Sequence, residues 1–140
     1  MQTHKPLAVT SILAGVALAK HLFVDAVGGI CGANKKAVGV TEVDAAAGEQ
    51  ASVIFSGIAL VIAGGDITVT DEAVAVASDA AGKAVAATAL SATVPGTGTT
   101  VTSSSAQPAM TMAGSVTPQA INGYALHSAA TGELVAVLLK

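Results

Sequence analysis

The sequence predicts a mainly β protein, a compact antiparallel β-barrel or sandwich with an extended N-terminal arm and a long Ser/Thr/Gly-rich loop. The first observation is the stretch from Ala47 to Leu90, where short apolar runs rich in β-branched residues alternate with Gly, Asp and Ser. Such runs between turn-forming residues are typical of consecutive antiparallel strands. The second observation is a turn that occurs twice, and the third is an uncharged tract of low complexity at residues 91–118.

The N-terminal segment has two interpretations. Met1–Thr10 is predicted to be a flexible arm, and Ile12–Ala19 fits either a helix or a strand. Lys5 followed by an apolar run also resembles a secretory signal, with Ala17–Leu18–Ala19 in the place of a cleavage box. The apolar run is too short to span a bilayer, so no membrane partner is predicted. We expect residues 1–18 to form an arm and residues 19–140 a single β domain.

Turn-forming residues divide the centre of the chain into short strands. A strand is predicted within Ala37–Val43, after turns rich in glycine. Further apolar runs follow, and the breaks between them are predicted at Ser56–Gly57, Gly64–Gly65–Asp66, Thr70–Asp71 and Ser78–Asp79 through Gly82.

One turn of the chain occurs twice with the same spacing. The segment from Gly39 to Ile54 aligns without a gap on the segment from Gly123 to Leu138. Asp or Ser opens each turn by bonding nearby backbone, and glycine supplies the positive φ that ends it. We therefore predict two similar hairpins, in which Glu49 and Glu133 are solvated rather than catalytic.

Residues 91–118 differ from the rest of the chain. They contain three of the four prolines, many Ser, Thr and Gly residues, and no charge. A segment of this composition does not fold alone as a compact unit, so we predict a long loop that is ordered by contact with a neighbouring subunit. The last strand, near Leu134–Leu139, is apolar on both faces, which predicts a central position in a sheet or burial at an interface.

The composition predicts self-association and excludes several functions. The chain is 52% hydrophobic but only 2% aromatic, and small Ala and Val side chains bury little area each. Burying a second face against a copy of itself would add stability, which predicts a homo-oligomer. Its net charge of −3 and its lack of basic clusters beyond Lys35–Lys36 argue against a nucleic-acid partner. The single cysteine, Cys31, is predicted to be a buried apolar residue.

No constellation of residues predicts catalysis. His4, His21 and His127 lie far apart and outside any metal-ligand spacing. Neighbouring strand residues point to opposite faces, so Asp71 and Glu72 do not form an acid/base pair. Neither Gly96–Gly98 nor Gly82–Lys83 completes a nucleotide-binding motif. We therefore predict that the protein is not an enzyme, with no catalytic, cofactor-binding or metal residues and no cofactor.

Several blocks, taken in order, resemble a known family. They are AKHLFVDAVGG, the long block from AVGVTEVDAAAGEQ to DAAGKAVAA, and INGYALHSAATGELVAVLL. In this order they are similar to the small capsid decoration (cement) proteins of tailed bacteriophages. The resemblance covers about Ala19–Ala87 and Ile121–Leu139, and Thr70–Asp71 stands where many relatives have a Gly-Asp turn.

The resemblance implies a structural virion protein without catalytic residues. Such a protein is made in the host cytoplasm, binds the outer surface of the capsid at symmetry axes, and stabilises the head shell. Its partners would be the major capsid protein and itself, as a trimer or dimer. It would keep Ala8–Lys20 as an arm and first strand clamped to the capsid.

Two alternatives remain open from the residues themselves. If the N-terminal segment is a signal, the chain is an exported bacterial surface or pilus-like β protein. A small-molecule carrier or accessory barrel is the other alternative, and it would require a defined pocket with clustered polar residues.

Overall fold

The computed structural model of the chain describes residues 4–88 and 119–140. Within these ranges it contains strands, turns and irregular segments, and no helix. The described residues therefore include no helix that could span a membrane. The eight strands are β1 (Lys5–Leu13), β2 (Phe23–Val24), β3 (Gly39–Thr41), β4 (Gln50–Ile62), β5 (Val74–Ser78), β6 (Ala84–Ala86), β7 (Gly123–Ala125) and β8 (Leu134–Leu139). The predicted loop over 91–118 lies outside the described residues.

All the pairings between these strands are antiparallel, and they form one sheet. The order is β2-β3-β4-β8-β7-β5-β6, with β1 paired to β4. The two ends of the sheet meet, because the amide of Phe23 in β2 donates to the carbonyl of Gly82 beside β6 at 2.7 Å. The Asn34 amide donates to the Ser78 carbonyl at 2.9 Å in the same region. The sheet is therefore nearly closed into a barrel, which confirms the predicted fold class.

Strand β4 organises the sheet because it is long enough to bind two partners in succession. It pairs with β1 along Gln50–Ile58 and with β8 along Ile58–Ile62. Strand β8 lies between β4 and β7, so the prediction that the last strand is central is confirmed. Its residues Val135, Ala136 and Val137 are fully buried.

The break predicted at Ser56–Gly57 is wrong, because β4 continues through it. Gly57 has a φ of 106°, and a Cβ atom there would lie 2.5 Å from the Leu7 amide nitrogen. The pairing with β1 is irregular between Pro6 and Val9, opposite this glycine. Gly57 therefore allows the two backbones to approach closely and makes an irregularity within one strand rather than the end of a strand.

The N-terminal segment is part of this fold. Strand β1 pairs with β4 at eight positions from Lys5 to Leu13. Beyond it, Ala14 and Leu18 are buried, and Leu18 bonds with Ala45 through both backbone groups. Ile12–Ala19, for which helix and strand were both possible, thus finishes β1 and continues as an irregular segment that bends at Gly15 and Val16. The short run at Ile67–Val69 likewise makes only an isolated bridge, to Ala129.

The two predicted hairpins are present, and the similarity extends far beyond them. The first half of the fold comprises β1, β2, β3 and the start of β4, and the second half comprises the end of β4, β5, β7 and β8. The two halves have the same pairing registers. The pair Ile12–Ala51 of the first half is equivalent to Val61–Val135 of the second. The pair Val24–Gly39 is equivalent in the same way to Val76–Gly123. The fold is therefore an internal duplication, of which the sequence showed only the hairpins.

The core repeats with the strands. A smaller cluster of buried side chains belongs to the first half, and each of its six members has an equivalent in the larger cluster. The equivalent pairs are Ala14 and Ala63, Leu18 and Ile67, Val24 and Val76, Ala45 and Ala129, Ala51 and Val135, and Val53 and Val137. The larger cluster adds Phe23, the bulkiest fully buried side chain. Most of this core is Ala and Val, as the composition requires.

Candidate interaction surfaces

The two equivalent turns are built by the same set of hydrogen bonds. In the first, the Ala46 amide donates to the Glu49 carboxylate at 2.9 Å, and Gly48 has a φ of 86°. In the second, the Ala130 amide donates to the Glu133 carboxylate at 2.9 Å, and Gly132 has a φ of 89°. Each glutamate therefore caps its own turn with its side chain, which gives both residues a structural role.

Each turn also docks on the end of a strand. The Gly48 amide donates to the Ala14 carbonyl at 2.7 Å, and the Gly132 amide donates to the Ala63 carbonyl at 2.8 Å. Beside each turn is a shallow cleft open to solvent. One is lined by residues such as Leu18 and Asp44, and its equivalent by residues such as Ile67 and Ser128. Neither cleft brings several free polar side chains together, so neither has the character of a catalytic pocket.

The ionisable residues that the sequence offered for chemistry remain dispersed. Residues 4–88 and 119–140 contain no group of three or more His, Cys, Asp or Glu side chains placed to hold a metal ion. His21 and His127 both bond backbone atoms: His21 Nδ1 lies 3.1 Å from the Leu60 carbonyl, and His127 Nε2 accepts the Ala136 amide at 3.1 Å. These contacts give the two rings structural partners in the sheet.

Cys31 is a buried core residue, as predicted. Its side chain is inaccessible to solvent, and its Sγ lies 3.5 Å from the Lys35 carbonyl oxygen. Burial raises the pKa of the thiol. Because the thiolate is the reactive form, this environment suppresses nucleophilic chemistry.

The one basic pair of the chain is also used within the fold. The Lys36 ammonium donates to the Ile121 carbonyl at 2.7 Å and to the Lys140 carbonyl. Two acids lie in exposed loops, where hydrogen bonds from Thr131 lower the pKa of Asp66 and a hydrogen bond from Thr70 lowers that of Asp71. The Asp66 contact joins two loops, whereas the Asp71 contact is made by the preceding residue within one loop.

The most distinctive exposed surface lies along β1. We name Leu7, Val9 and Leu13 of β1, together with Phe55 of β4, the β1 surface. Their exposed fractions are 74%, 46%, 59% and 48%. Sequence reasoning missed this surface because it treated the first ten residues as a polar arm, although the alternation of Leu7, Val9 and Leu13 was a visible signal for a strand.

Comparison with known protein families finds no match, and none of the curated proteins matches the chain. Among solved structures, the fold is similar to the N base of the head fiber protein gp8.5 of bacteriophage phi29. The similarity has a TM-score of 0.60 at 18% sequence identity and covers 95% of this chain and 93% of the phage protein. The chain therefore has the fold of a bacteriophage head fiber base along nearly its whole length.

Proposed function

We propose that this chain is a structural protein of a phage virion that binds the outer surface of the capsid and stabilises the head shell. The observation that carries the proposal is the fold similarity to a phage head fiber base, which spans nearly the whole of both chains. The ordered sequence blocks that resemble capsid decoration proteins support it independently. Its partners would be the major capsid protein and further copies of itself, on the virion surface.

The architecture suits a mechanism of distributed contacts. Ionisable side chains of the described residues, such as Glu49, Glu133 and Asp66, are engaged in turns and at strand ends. Many weak contacts repeated around a shell add avidity, so a small β domain needs no single strong site to reinforce a particle. We keep the division into an arm at 1–18, a domain at 19–140 and a loop at 91–118 as a prediction about which parts adapt to the shell, with the difference that the arm carries β1 and is paired to the domain.

The structure favours this proposal over export with removal of the N-terminal segment. Cleavage near Lys20 would remove β1, with its eight pairings to β4, and the buried side chains of Ala14 and Leu18. Loss of two core residues and a strand costs several kcal/mol, which is comparable to the stability of a small domain. The segment is thus better explained as part of the barrel.

The proposal is tested on capsids that lack this protein. Purified chain is added to such capsids, unbound protein is removed by sedimentation, and the temperature at which the shells release DNA is measured. We expect saturable binding and a rise of several degrees in the release temperature. A matched control uses heat-unfolded, rapidly cooled protein. Absence of saturable binding, or binding without any gain in heat resistance, would contradict a cement function.

A further inference from the structure

Strand β1 exposes an edge whose backbone groups make no strand pairing within the described residues. The Ala14 amide donates to the Glu49 carbonyl at 2.8 Å, so the backbone groups of Ala14 point towards β4. Because the hydrogen-bonding direction alternates along an antiparallel strand, the amide and carbonyl groups of Thr10 and Ile12 also point towards β4. The amide and carbonyl groups of Val9 and Ser11 then point away from β4. Pairing to β4 is the only pairing of β1 in this part of the chain.

The duplication shows that the equivalent edge in the second half is covered. Ser11 and Leu13 are equivalent to Leu60 and Ile62 by register. The Ile62 amide donates to the His21 carbonyl at 3.0 Å, and the Leu60 carbonyl lies 3.1 Å from the His21 ring. The backbone carbonyl and the ring of His21, in this same chain, therefore cover the second-half edge.

An insertion explains why no described residue covers β1 as His21 covers the second-half edge. In the first half, only His21 and Leu22 separate Lys20 from Phe23. In the second half, the equivalent residues are Val69 and Ala75, and the five residues Thr70–Val74 separate them. The equivalence follows from matching contacts: the amides of Lys20 and Val69 donate to Asp44 and Ser128, and Phe23 and Ala75 pair with Val40 and Tyr124. The longer connection is exposed from Thr70 to Ala73, and it does not make the contact that His21 makes.

The chemistry of the free edge suits a second copy of the chain. Edge strands are commonly protected by Lys, Pro or a charge that points inward, and here Lys5 and Pro6 protect only the beginning of β1. From Pro6 to Ala19 the chain carries no charge. Two copies of a chain with a net charge of −3 can meet along this strand without placing like charges opposite each other.

We propose that the outer edge of β1 binds β1 of a second copy, with the two strands antiparallel about a two-fold axis at Thr10. This register pairs Val9 with Ser11 of the second copy on both sides of the axis. Regular pairing ends at Val9, because β1 is irregular between Pro6 and Val9. Beyond it, the exposed side chain of Leu7 lies near that of Leu13 of the second copy, so the two most exposed apolar side chains of β1 are brought together on each side of the axis. This inference rests on the proposed function, in which the protein forms a homo-oligomer, and it assigns the contact surface of that oligomer. Because both copies use the same strand, the assembly closes as a dimer.

Disulfide trapping tests the register. In this arrangement the two Thr10 residues face each other across the axis, so Thr10→Cys should cross-link to itself under mild oxidation at micromolar concentration. Thr68→Cys, also exposed but away from β1, is the matched control. The wild type shows how much cross-linking comes from the buried native Cys31 alone. We expect at least tenfold faster dimer formation for Thr10→Cys than for Thr68→Cys. Equal rates for the two variants would overturn the proposed register.

Sedimentation equilibrium tests the surface without any added cysteine. Leu7→Lys should weaken dimerisation at least tenfold, whereas Val43→Lys, at another exposed apolar site, should change it less than twofold. Circular dichroism checks that both variants are folded. A wild type that is monomeric, with the β1 amides protected from exchange only after capsids are added, would overturn the inference in favour of the capsid as occupant. The cross-linking and sedimentation experiments use the purified protein without capsids. A negative result in them therefore contradicts the dimer and not the proposed capsid binding.

Discussion

At the residue scale, two glycines show how closely the halves correspond. A Cβ atom on Gly39 would lie 2.3 Å from the Ile54 carbonyl oxygen, and one on Gly123 would lie 2.4 Å from the Leu138 carbonyl oxygen. Both glycines begin a hairpin strand and let the neighbouring strand pass directly over the backbone. The aligned sequence showed the two glycines, but only the three-dimensional packing explains why no side chain fits there.

Alanine at either glycine should therefore destabilise the fold. Gly39→Ala and Gly123→Ala each force backbone to move, and we expect each to lower the free energy of unfolding by about 1–3 kcal/mol, as overpacking does. Urea denaturation followed by circular dichroism measures the change. Gly65→Ala is the matched control, since its nearest neighbour would be Val85 Cγ1 at 3.9 Å, and it should cost less than about 0.5 kcal/mol. Equal costs at Gly39 and Gly65 would contradict this account.

At the scale of elements, side chains beyond the strand ends connect parts that are distant in sequence. Asp66 follows β4, and its carboxylate accepts hydrogen bonds from both the amide and the hydroxyl of Thr131, each at 2.9 Å. Thr131 lies in the turn before β8, so these bonds hold the β7–β8 turn against the end of β4. Sequence spacing gave no indication of this contact, because 65 positions separate the two residues.

This contact predicts a pH-dependent effect of Asp66→Asn. The hydrogen bonds from Thr131 lower the pKa of Asp66 below its ordinary value of 3.8. The carboxylate therefore stabilises the fold above that value, and the contribution is lost as the pH falls through the lowered pKa. Thermal unfolding should show Asp66→Asn less stable than wild type at pH 7, with the difference shrinking below about pH 4. In a Thr131→Ala background the difference should be smaller at pH 7, and a difference independent of pH would contradict the assignment.

At the scale of the whole molecule, a tract of thirty residues, 89–118, lies between β6 and β7 in the second half of the duplication. The two ends of that tract are joined, since the Thr88 amide donates to Gln119 Oε1 at 2.8 Å and Gln119 Nε2 donates to Thr88 Oγ1 at 3.3 Å. The first half of the duplication has no equivalent insertion of this length before β3. In sequence, the tract is therefore an insertion into one copy of the duplicated unit.

Replacing residues 89–118 with a linker of about three Gly and Ser residues should leave the barrel folded. A short linker can join Thr88 to Gln119, and a shorter loop reduces the entropy of closure. We expect the same β signal in circular dichroism and an unfolding free energy within about 1 kcal/mol of wild type. Deletion of Lys5–Leu13, which removes β1, is the contrasting control and should abolish cooperative unfolding. Loss of folding in the linker variant would show that the tract belongs to the core.

The sequence by itself determined the β class, the two hairpins, the central position of the last strand and the burial of Cys31. These follow from local causes: β-branched runs, turn residues at fixed spacing and apolar faces on both sides of a strand. The prediction failed at Ser56–Gly57 because a glycine that permits close approach between strands looks the same in sequence as a glycine in a turn.

Only the tertiary structure decided that β1 belongs to the barrel, that the duplication includes both halves, and that one edge of β1 has no strand partner among residues 4–88 and 119–140. Each depends on pairings between residues far apart in the chain, and local propensity carries no information about them. The equivalence of Leu18 and Ile67, for example, appears only when each is seen bonded to its own turn, at Ala45 and Ala129. Small, similar side chains repeat throughout this sequence, so the identity of a residue says little about its position in the fold. The register in which the strands pair decides which side chains enter the core.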